Sequence, residues 1–153
     1  MTERTLTILK PDTLRARKQG LVLQRILEEG FEVLGMRQLR LTRPQAEGFY
    51  AVHRERPFFK DLVAFMTSGP VVVACLERED AVARLRGVMG PTDSRKAPPE
   101  TIRGRFGTDI QCNAVHGSDS PENARAEVAF FFPEVDLLAD QGPSPPAGKG
   151  VGK

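Results

Sequence analysis

A run of six apolar residues, VVVACL at positions 71–76, places the strongest limit on how this chain can fold. An apolar run of this length without polar alternation is typical of a strand buried on both faces, so it predicts a central strand of a sheet. No apolar run in the chain approaches the roughly 20 residues that a membrane-spanning helix needs. The chain is therefore expected to fold around this strand and not to cross a membrane.

The segments around the run alternate between strand and helix patterns. Alternating apolar residues predict strands at residues 5–10 and 31–41, the second with a bulge near Gly35. Helical spacing predicts a helix around residues 22–27 that ends at Gly30. The complete order is strand, helix, strand, helices, strand, helix, loop, strand, helix. It predicts an α+β fold of the ferredoxin-like βαββαβ type, a four-stranded antiparallel sheet covered by helices.

Two helices have marked N-termini. Thr42 begins a capping-box pattern, and Ser120 can cap a helix whose first position is taken by Pro121. The first helix is expected to run until Pro57. The side chains expected along one side are Ala46, Phe49, Tyr50 and His53 for the first helix, and Ala124, Val128, Ala129 and Phe132 for the second. The start of the second helix lies just after His116, and its free main-chain N–H groups suit an anion.

The segment from residue 90 to residue 111 contains three prolines and little pattern of regular structure beyond a short turn at Thr101. It follows a helix that has Arg86 beside its apolar stripe. Loops of this length within compact domains are commonly functional. Because the segment also holds Thr92 and Arg103, we expect it to contribute to a functional site.

Composition excludes some classes of partner and favours a compartment. The formal net charge of +2 is too small to indicate a nucleic-acid or membrane partner. Cys75 and Cys112 lack metal-ligand spacing and suggest reduced thiols, and the N-terminus has no secretory pattern, so a cytoplasmic location is expected. Residues 1–140 are predicted to form one domain, and the Gly/Pro-rich residues 141–153 a disordered tail.

The polar residues at element ends point to phosphate chemistry. The candidates are Lys10, Arg86, Thr92, Arg103 and Asn113, which are three cations and two neutral donors. They could hold a polyphosphate although the sequence has no glycine-rich P-loop. His116 would be the nucleophile, because an imidazole is substantially neutral at physiological pH. Glu127 and Ser118 are placed to hold its N–H group and to stabilise positive charge that develops during attack.

The sequence NAVHGSDS at residues 113–120 resembles the active-site signature of the nucleoside diphosphate kinases. Further matches to the family occur in the same order along the chain. They are LKPD at residues 9–12, FYAVH at 49–53, RPFF at 56–59, SGPVV at 68–72 and TIR at 101–103. The resemblance covers residues 5–132, which is nearly all of the expected folded part.

This resemblance implies a role for each matching residue. His116 would become a phosphohistidine in a ping-pong transfer of a γ-phosphate from a nucleoside triphosphate to a nucleoside diphosphate, and Ser118 and Glu127 would orient it. The residues implied to contact the phosphates are Lys10, His53, Arg86, Thr92 and Arg103. Phe58 and Ile110 would sandwich the base, which predicts broad base specificity, because every base has a π-face. Lys10 and Asn113 would bind the sugar hydroxyls, and Tyr50 would lie beside His116.

The resemblance also implies a cofactor and an assembly. Mg²⁺ would arrive on the nucleotide's phosphates, with no protein side chains as its ligands, and the chain would self-associate as a tetramer or hexamer. The sequence departs from the family at Thr13, where glycine is usual, at residues 77–80, which replace a shorter turn, and in the tail. Oligomeric state is the property that these departures affect most.

Three other functions are less well supported. A hydrolase triad of Ser118, His116 and Asp119 is disfavoured, because residues so close in sequence rarely converge and no nucleophile elbow is present. A metal site built on His53, His116 and the cysteines has no supporting spacing. The main alternative is a catalytically inactive module that binds nucleotides or nucleic acid on the same fold.

Overall fold

Four strands form one antiparallel sheet in the computed structural model, which describes residues 2–138. They are β1 (Thr2–Leu9), β2 (Glu32–Leu39), β3 (Val71–Glu79) and β4 (Val115–Gly117), in the spatial order β2-β3-β1-β4. All three neighbouring pairs are antiparallel. The two long inner strands, β1 and β3, pair along their whole common length, from Thr2 with Glu79 to Leu9 with Val72.

Helices connect the strands on both faces of the sheet. They are α1 (Pro11–Arg15), α2 (Gln19–Glu28), α3 (Arg43–Phe49), α4 (Phe59–Met66), α5 (Ala81–Met89), α6 (Ile102–Phe106) and α7 (Pro121–Phe131). Short 3₁₀ turns occur at Ala51–His53, Ser94–Lys96 and Glu134–Asp136. The order is βαββαβ with additional short helices in the connections, so the predicted ferredoxin-like α+β fold is confirmed.

The apolar run at residues 71–76 lies in β3 and is buried on both faces, as predicted. Its odd-numbered residues pack in one core with α3, α4 and α7, and its even-numbered residues pack in a second core with α2 and α5. Every residue from Val71 to Leu76 is buried. The strand needs apolar side chains at consecutive positions because a layer of helices covers each face of the sheet.

Several local predictions are confirmed by the backbone. Thr42 and Gln45 form a reciprocal capping box, and the Ser120 hydroxyl accepts from the N–H group of Asn123 at the start of α7. The register between β2 and β3 shifts at Gly35. Gly30 follows α2 with φ of +84°, the left-handed conformation that glycine adopts readily.

Other predictions were wrong in their boundaries. The helix expected to run to Pro57 ends at Phe49, and the chain then tightens into a 3₁₀ turn, so His53 lies outside α3. The segment after residue 90 contains α6, and the chain after β1 contains α1. Each of these two helices has five residues, too few for apolar periodicity to reveal. On α7, Ala129 is exposed and Phe131 is buried instead.

Two further expectations concern the ends of the domain and the membrane. Among residues 2–138 no helix is long and apolar enough to span a membrane. The tail predicted at residues 141–153 lies outside the residues that the structure describes.

Candidate active site

His116 occupies the middle of β4, opposite Ile8 of β1. Its carbonyl accepts a hydrogen bond of 2.8 Å from the hydroxyl of Thr7 in β1, which ties the main chain of β4 to β1. The next residue must be small, because a Cβ atom on Gly117 would lie 2.5 Å from the sulfur of Met89 in α5. The sheet and α5 therefore fix the strand that positions the histidine.

The imidazole of His116 is held by Glu127 of α7. Its Nε2 atom is in hydrogen-bonding contact with Oε1 of Glu127, and the two side chains are 21% and 17% exposed. Among residues 2–138 no hydrogen bond reaches the Nδ1 atom of His116. When the proton is on Nε2 and faces the carboxylate, the lone pair is on Nδ1, which makes Nδ1 the nucleophilic nitrogen.

Two aromatic side chains at the end of α3 enclose this imidazole. The rings of Phe49 and Tyr50 meet that of His116 edge-on, with centroid distances of 5.4 Å and 6.3 Å. Tyr50 is buried, and burial raises the pKa of its phenol well above the usual value, so the phenol stays protonated as a possible donor. Tyr50 was predicted to lie beside His116, and Phe49, whose ring is closer to His116, was given no role at the site.

The main chain between the candidate residues Asn113 and His116 makes an unusual turn at Ala114. The φ angle of Ala114 is +73°, and the N–H group of Val115 donates to the carbonyl of Asn113 over 2.9 Å. A hydrogen bond from residue i+2 to residue i with positive φ between them defines the strained form of the γ-turn. Strained conformations of this kind cost on the order of 1–3 kcal/mol and persist only where surrounding contacts fix them.

Lys10 and Asn113 form a direct pair beside this turn. Nζ of Lys10 donates to Oδ1 of Asn113 over 2.8 Å, and both side chains are buried. Nδ2 of Asn113 donates in turn to the carbonyls of Thr92 and Ile110. Burial, reinforced by the positive charge of Arg103, lowers the pKa of Lys10 to about 8. A negatively charged ligand would therefore be strongly attracted to this ammonium group.

Arg103 is the second buried cation, and α6 supplies it. Its guanidinium donates to the carbonyls of Gly90 and Val115 over 3.0 Å and 2.9 Å. Its Nε atom is buried and has no hydrogen-bond partner among the described residues. Burial, and next the charge of Arg86, lower the pKa of Arg103 to about 10. Arg103 thus ties the loop after α5 to the strand that holds the histidine.

Arg86 and Thr92 line a cavity of about 520 Å³ at the end of α5. Both residues are exposed, and Arg86 makes no hydrogen bond or ion pair within the part of the chain that the structure describes. An arginine without a partner at the rim of a cavity is available to a ligand. The cavity is also lined by Thr101, whose hydroxyl accepts from Gly104 at the start of α6.

Phe58 and Ile110 carry exposed apolar side chains, and His53 packs against one of them. The exposed fractions of Phe58 and Ile110 are 50% and 60%, and a hydrogen bond from Gln111 to the carbonyl of Asp61 ties the Ile110 loop to α4. The ring of His53 packs against that of Phe58, with 5.5 Å between centroids. The structure therefore places His53 against the exposed ring of Phe58, whereas Tyr50 packs against His116.

Ser118 is fully buried directly after β4. Its hydroxyl accepts from the N–H group of Leu6 over 3.3 Å, and its own N–H group donates to the carbonyl of Leu6. Within residues 2–138 no hydrogen bond joins it to His116 or Glu127. Its observed contact therefore anchors the end of β4 to β1 and supports His116 only indirectly.

The arrangement is suited to binding an anionic group next to a nucleophilic nitrogen. It combines buried cations, neutral donors and a histidine whose Nε2 atom faces the carboxylate of Glu127. Among residues 2–138 no three His, Cys, Asp or Glu side chains are grouped as metal ligands. Fold and site together are those of a domain that can bind a phosphorylated ligand and attack it.

Comparison with known proteins identifies the family. The sequence model of the nucleoside diphosphate kinase family matches residues 3–137. Proteins of that name from Acidiphilium cryptum (strain JF-5) and Helicobacter pylori (strain Shi470) are 53% and 56% identical over 137 residues, which are 90% of this chain and 98% and 100% of theirs. The chain belongs to the nucleoside diphosphate kinase family.

Solved structures agree with this assignment. A crystal structure of the nucleoside diphosphate kinase of Aquifex aeolicus matches with a TM-score of 0.88 and 50% identity, over 90% of this chain and 100% of that one. The halophilic nucleoside diphosphate kinase of Halobacterium salinarum in complex with CDP matches with a TM-score of 0.87 and 37% identity, over 91% and 93% of the two chains.

Proposed function

We propose that this phosphotransferase moves the γ-phosphoryl group of a nucleoside triphosphate to a nucleoside diphosphate through a phosphohistidine on Nδ1 of His116. The observation that supports this most strongly is the contact between Nε2 of His116 and Glu127, which leaves Nδ1 without a hydrogen bond among residues 2–138. Family membership supports the same activity.

The first half of the reaction forms a nitrogen–phosphorus bond. The Nδ1 lone pair attacks the γ-phosphorus while the bond to the β–γ bridging oxygen breaks, and its electron pair leaves with the nucleoside diphosphate. Positive charge develops on the imidazole and is stabilised by Glu127, which accepts from Nε2–H. In the second half a terminal phosphate oxygen of another nucleoside diphosphate attacks the same phosphorus, and the electron pair of the N–P bond returns to Nδ1.

The surrounding residues would bind the nucleotide in three parts. Lys10, Arg86, Thr92 and Arg103 are proposed to neutralise and orient the phosphates, and Lys10 and Asn113 to bind the sugar hydroxyls. Phe58 and Ile110 would enclose the base, since both side chains are largely exposed. His53 remains a proposed nucleotide ligand, on the side of Phe58, against which it packs. Tyr50 and Ser118 would keep His116 in place.

Mg²⁺ is proposed to enter bound to the phosphate oxygens of the nucleotide. This fits the donor set, because Lys10 and Arg103 are buried cations and Glu127 is engaged with His116. Mg²⁺ prefers phosphate, carboxylate and water oxygens, and here the nucleotide and water would supply them. When bound, the ion would neutralise part of the phosphate charge.

Three further properties are proposed from the family and from the sequence. Stacking on Phe58 predicts little discrimination among bases, because every base has a π-face. The assembly is proposed to be a tetramer or hexamer. The compartment is proposed to be the cytoplasm.

Initial-rate kinetics test this mechanism. The rate is measured against nucleoside triphosphate concentration at several fixed concentrations of nucleoside diphosphate, in the presence of Mg²⁺. Ping-pong transfer gives parallel lines in the double-reciprocal plot, and His116→Ala should have no measurable transfer. Intersecting lines would exclude the covalent route, and nucleotide binding without any transfer by the unmodified protein would favour the inactive binding module.

A further inference from the structure

We propose that Asp12 and Thr13 are positioning residues, which hold the strained turn at Ala114 and thereby fix Asn113 and His116 for phosphoryl transfer. The inference rests on the phosphohistidine mechanism proposed above and adds residues that do not touch the substrate.

Every main-chain polar group of Ala114 is bonded to one short segment of the chain. The N–H group of Ala114 donates to Oδ2 of Asp12 over 3.0 Å. Its carbonyl accepts from the Thr13 hydroxyl over 2.8 Å and from the N–H group of Lys10 over 2.9 Å. Three bonds from residues 10–13 therefore converge on one alanine about 100 positions further along the chain.

Ala114 needs this support because of its conformation. Its φ angle of +73° is one that a residue with a Cβ atom adopts rarely, and Ala114 is fully buried. Such a conformation persists where neighbouring contacts over-determine it. If the bonds from Asp12 and Thr13 were lost, the peptide planes on both sides of Ala114 could rotate toward a relaxed turn.

Rotation at Ala114 would disturb the reactive groups directly. Asn113, the residue before it, holds the ammonium group of Lys10 over 2.8 Å, and His116 follows two residues later. Lys10 belongs to the same segment as Asp12 and Thr13. The segment thus provides one reference point for the cation, the amide and the nucleophile, and displacements of about 1 Å at such a site can lower the rate roughly 100-fold.

The chemistry of the two residues argues for positioning over simple stability. Asp12 is partly buried, and burial raises the pKa of its carboxyl group, so the surroundings penalise the charge of this side chain. Thr13 is buried, and its hydroxyl donates to the carbonyl of Ala114, a bond that a side chain without a hydroxyl cannot make.

The test compares variants that keep or remove each bond. Asp12→Ala removes the acceptor and Asp12→Asn retains one, whereas Thr13→Val removes the hydroxyl and Thr13→Ser retains it. Thr5→Val is the matched control, because Thr5 is also a buried threonine and its hydroxyl has no hydrogen-bond partner in the described chain. The single-turnover rate of phosphohistidine formation at saturating ATP and Mg²⁺ is measured beside ADP affinity and the melting temperature.

The expected result separates rate from binding. Asp12→Ala should lower the phosphorylation rate about 10- to 100-fold and should weaken ADP binding by a clearly smaller factor, and Asp12→Asn should restore most of the rate. Thr13→Val should lower the rate by a smaller factor, and Thr13→Ser and Thr5→Val should react at the unmodified rate.

Two outcomes have different meanings. No phosphohistidine on the unmodified protein would overturn the proposed function. The positioning role alone would be overturned if the unmodified protein is labelled normally and the members of each pair react at equal rates. The two pairs are Thr13→Val with Thr13→Ser, and Asp12→Ala with Asp12→Asn. If Asp12→Ala does not fold, the threonine pair decides: equal rates for Thr13→Val and Thr13→Ser would overturn the proposal, and a slower Thr13→Val would support it.

Discussion

Glu127 faces Nε2 of His116, and this contact divides the imidazole into a held nitrogen and an open nitrogen. The relationship arises from two elements that are close in the chain, because α7 begins five residues after the histidine and its second turn returns beside β4. The side chains are only 21% and 17% exposed, so solvent screens the carboxylate weakly. The contact explains how a neutral histidine can be kept in one tautomer.

Replacing Glu127 by glutamine should slow phosphorylation of His116 while leaving nucleotide binding nearly unchanged. The amide can still meet Nε2, but it cannot offset the positive charge that develops on the ring. We expect a loss of about 10- to 100-fold in kcat, the size typical for removal of a group that orients a histidine. Glu122→Gln is the control, because Glu122 is exposed on the same helix. Equal kcat values for the two variants would contradict the role of Glu127.

Nucleotide affinity should fall as the pH rises through about 8. The pKa of Lys10 is lowered to about 8 by burial, so the ammonium is charged at pH 7 and largely neutral at pH 9. The KM for a nucleoside diphosphate is expected to increase above pH 8, and Lys10→Met should show a high KM without this increase. The lowered pKa also means that the unfolded chain binds the proton more tightly, so this group lowers the stability of the fold below pH 8, and that penalty disappears as the pH rises from about 8 to 10.5. A flat KM between pH 7 and 9 in the unmodified protein would oppose the assignment.

Arg103→Lys should be damaging although it preserves charge. The planar guanidinium bonds the carbonyls of Gly90 and Val115 together, and a lysine ammonium cannot reproduce that geometry. We expect kcat/KM to fall about 10- to 100-fold, because the substitution would displace both the cation proposed to bind the phosphates and the strand β4 that contains His116. Arg105→Lys on the same helix is the matched control, since Arg105 is exposed and lies over the ring of Phe106. A similar loss in both variants would point to a general effect on α6.

Phe58→Ala should weaken the binding of all nucleotides by a similar factor. Stacking of a base on an aromatic side chain contributes about 1–3 kcal/mol, and an exposed ring belongs near the lower end, so KM should rise about tenfold. The measurement compares KM for ADP, GDP, CDP and UDP in Phe58→Ala and in the control variant Val52→Ala. Val52 is a suitable control because it is 85% exposed. A loss confined to one base would show that Phe58 takes part in specificity.

Sequence patterns predicted the parts of this molecule that depend on neighbours in the chain. The central position of β3 followed from an apolar run, and the starts of α3 and α7 followed from Thr42 and Ser120. The position of Lys10 at a strand end was also apparent, because Pro11 ends the alternation.

Features that depend on distant contacts could not be predicted in this way. Nothing in the local sequence marks Ala114 for a positive φ angle, because its conformation is held by residues 10–13. The edge-on contact of Phe49 with His116 likewise arises only when α3 packs against the sheet. The five-residue helix that holds Arg103 was missed because it makes less than two turns.

The most direct measurement is covalent labelling of the protein by γ-labelled ATP with Mg²⁺ in the absence of any acceptor. The mechanism predicts an acid-labile, base-stable label on the unmodified protein, none on His116→Ala, and complete discharge of the label by any added nucleoside diphosphate. An unmodified protein that binds ATP and acquires no label, or a label that survives in His116→Ala, would contradict transfer through His116.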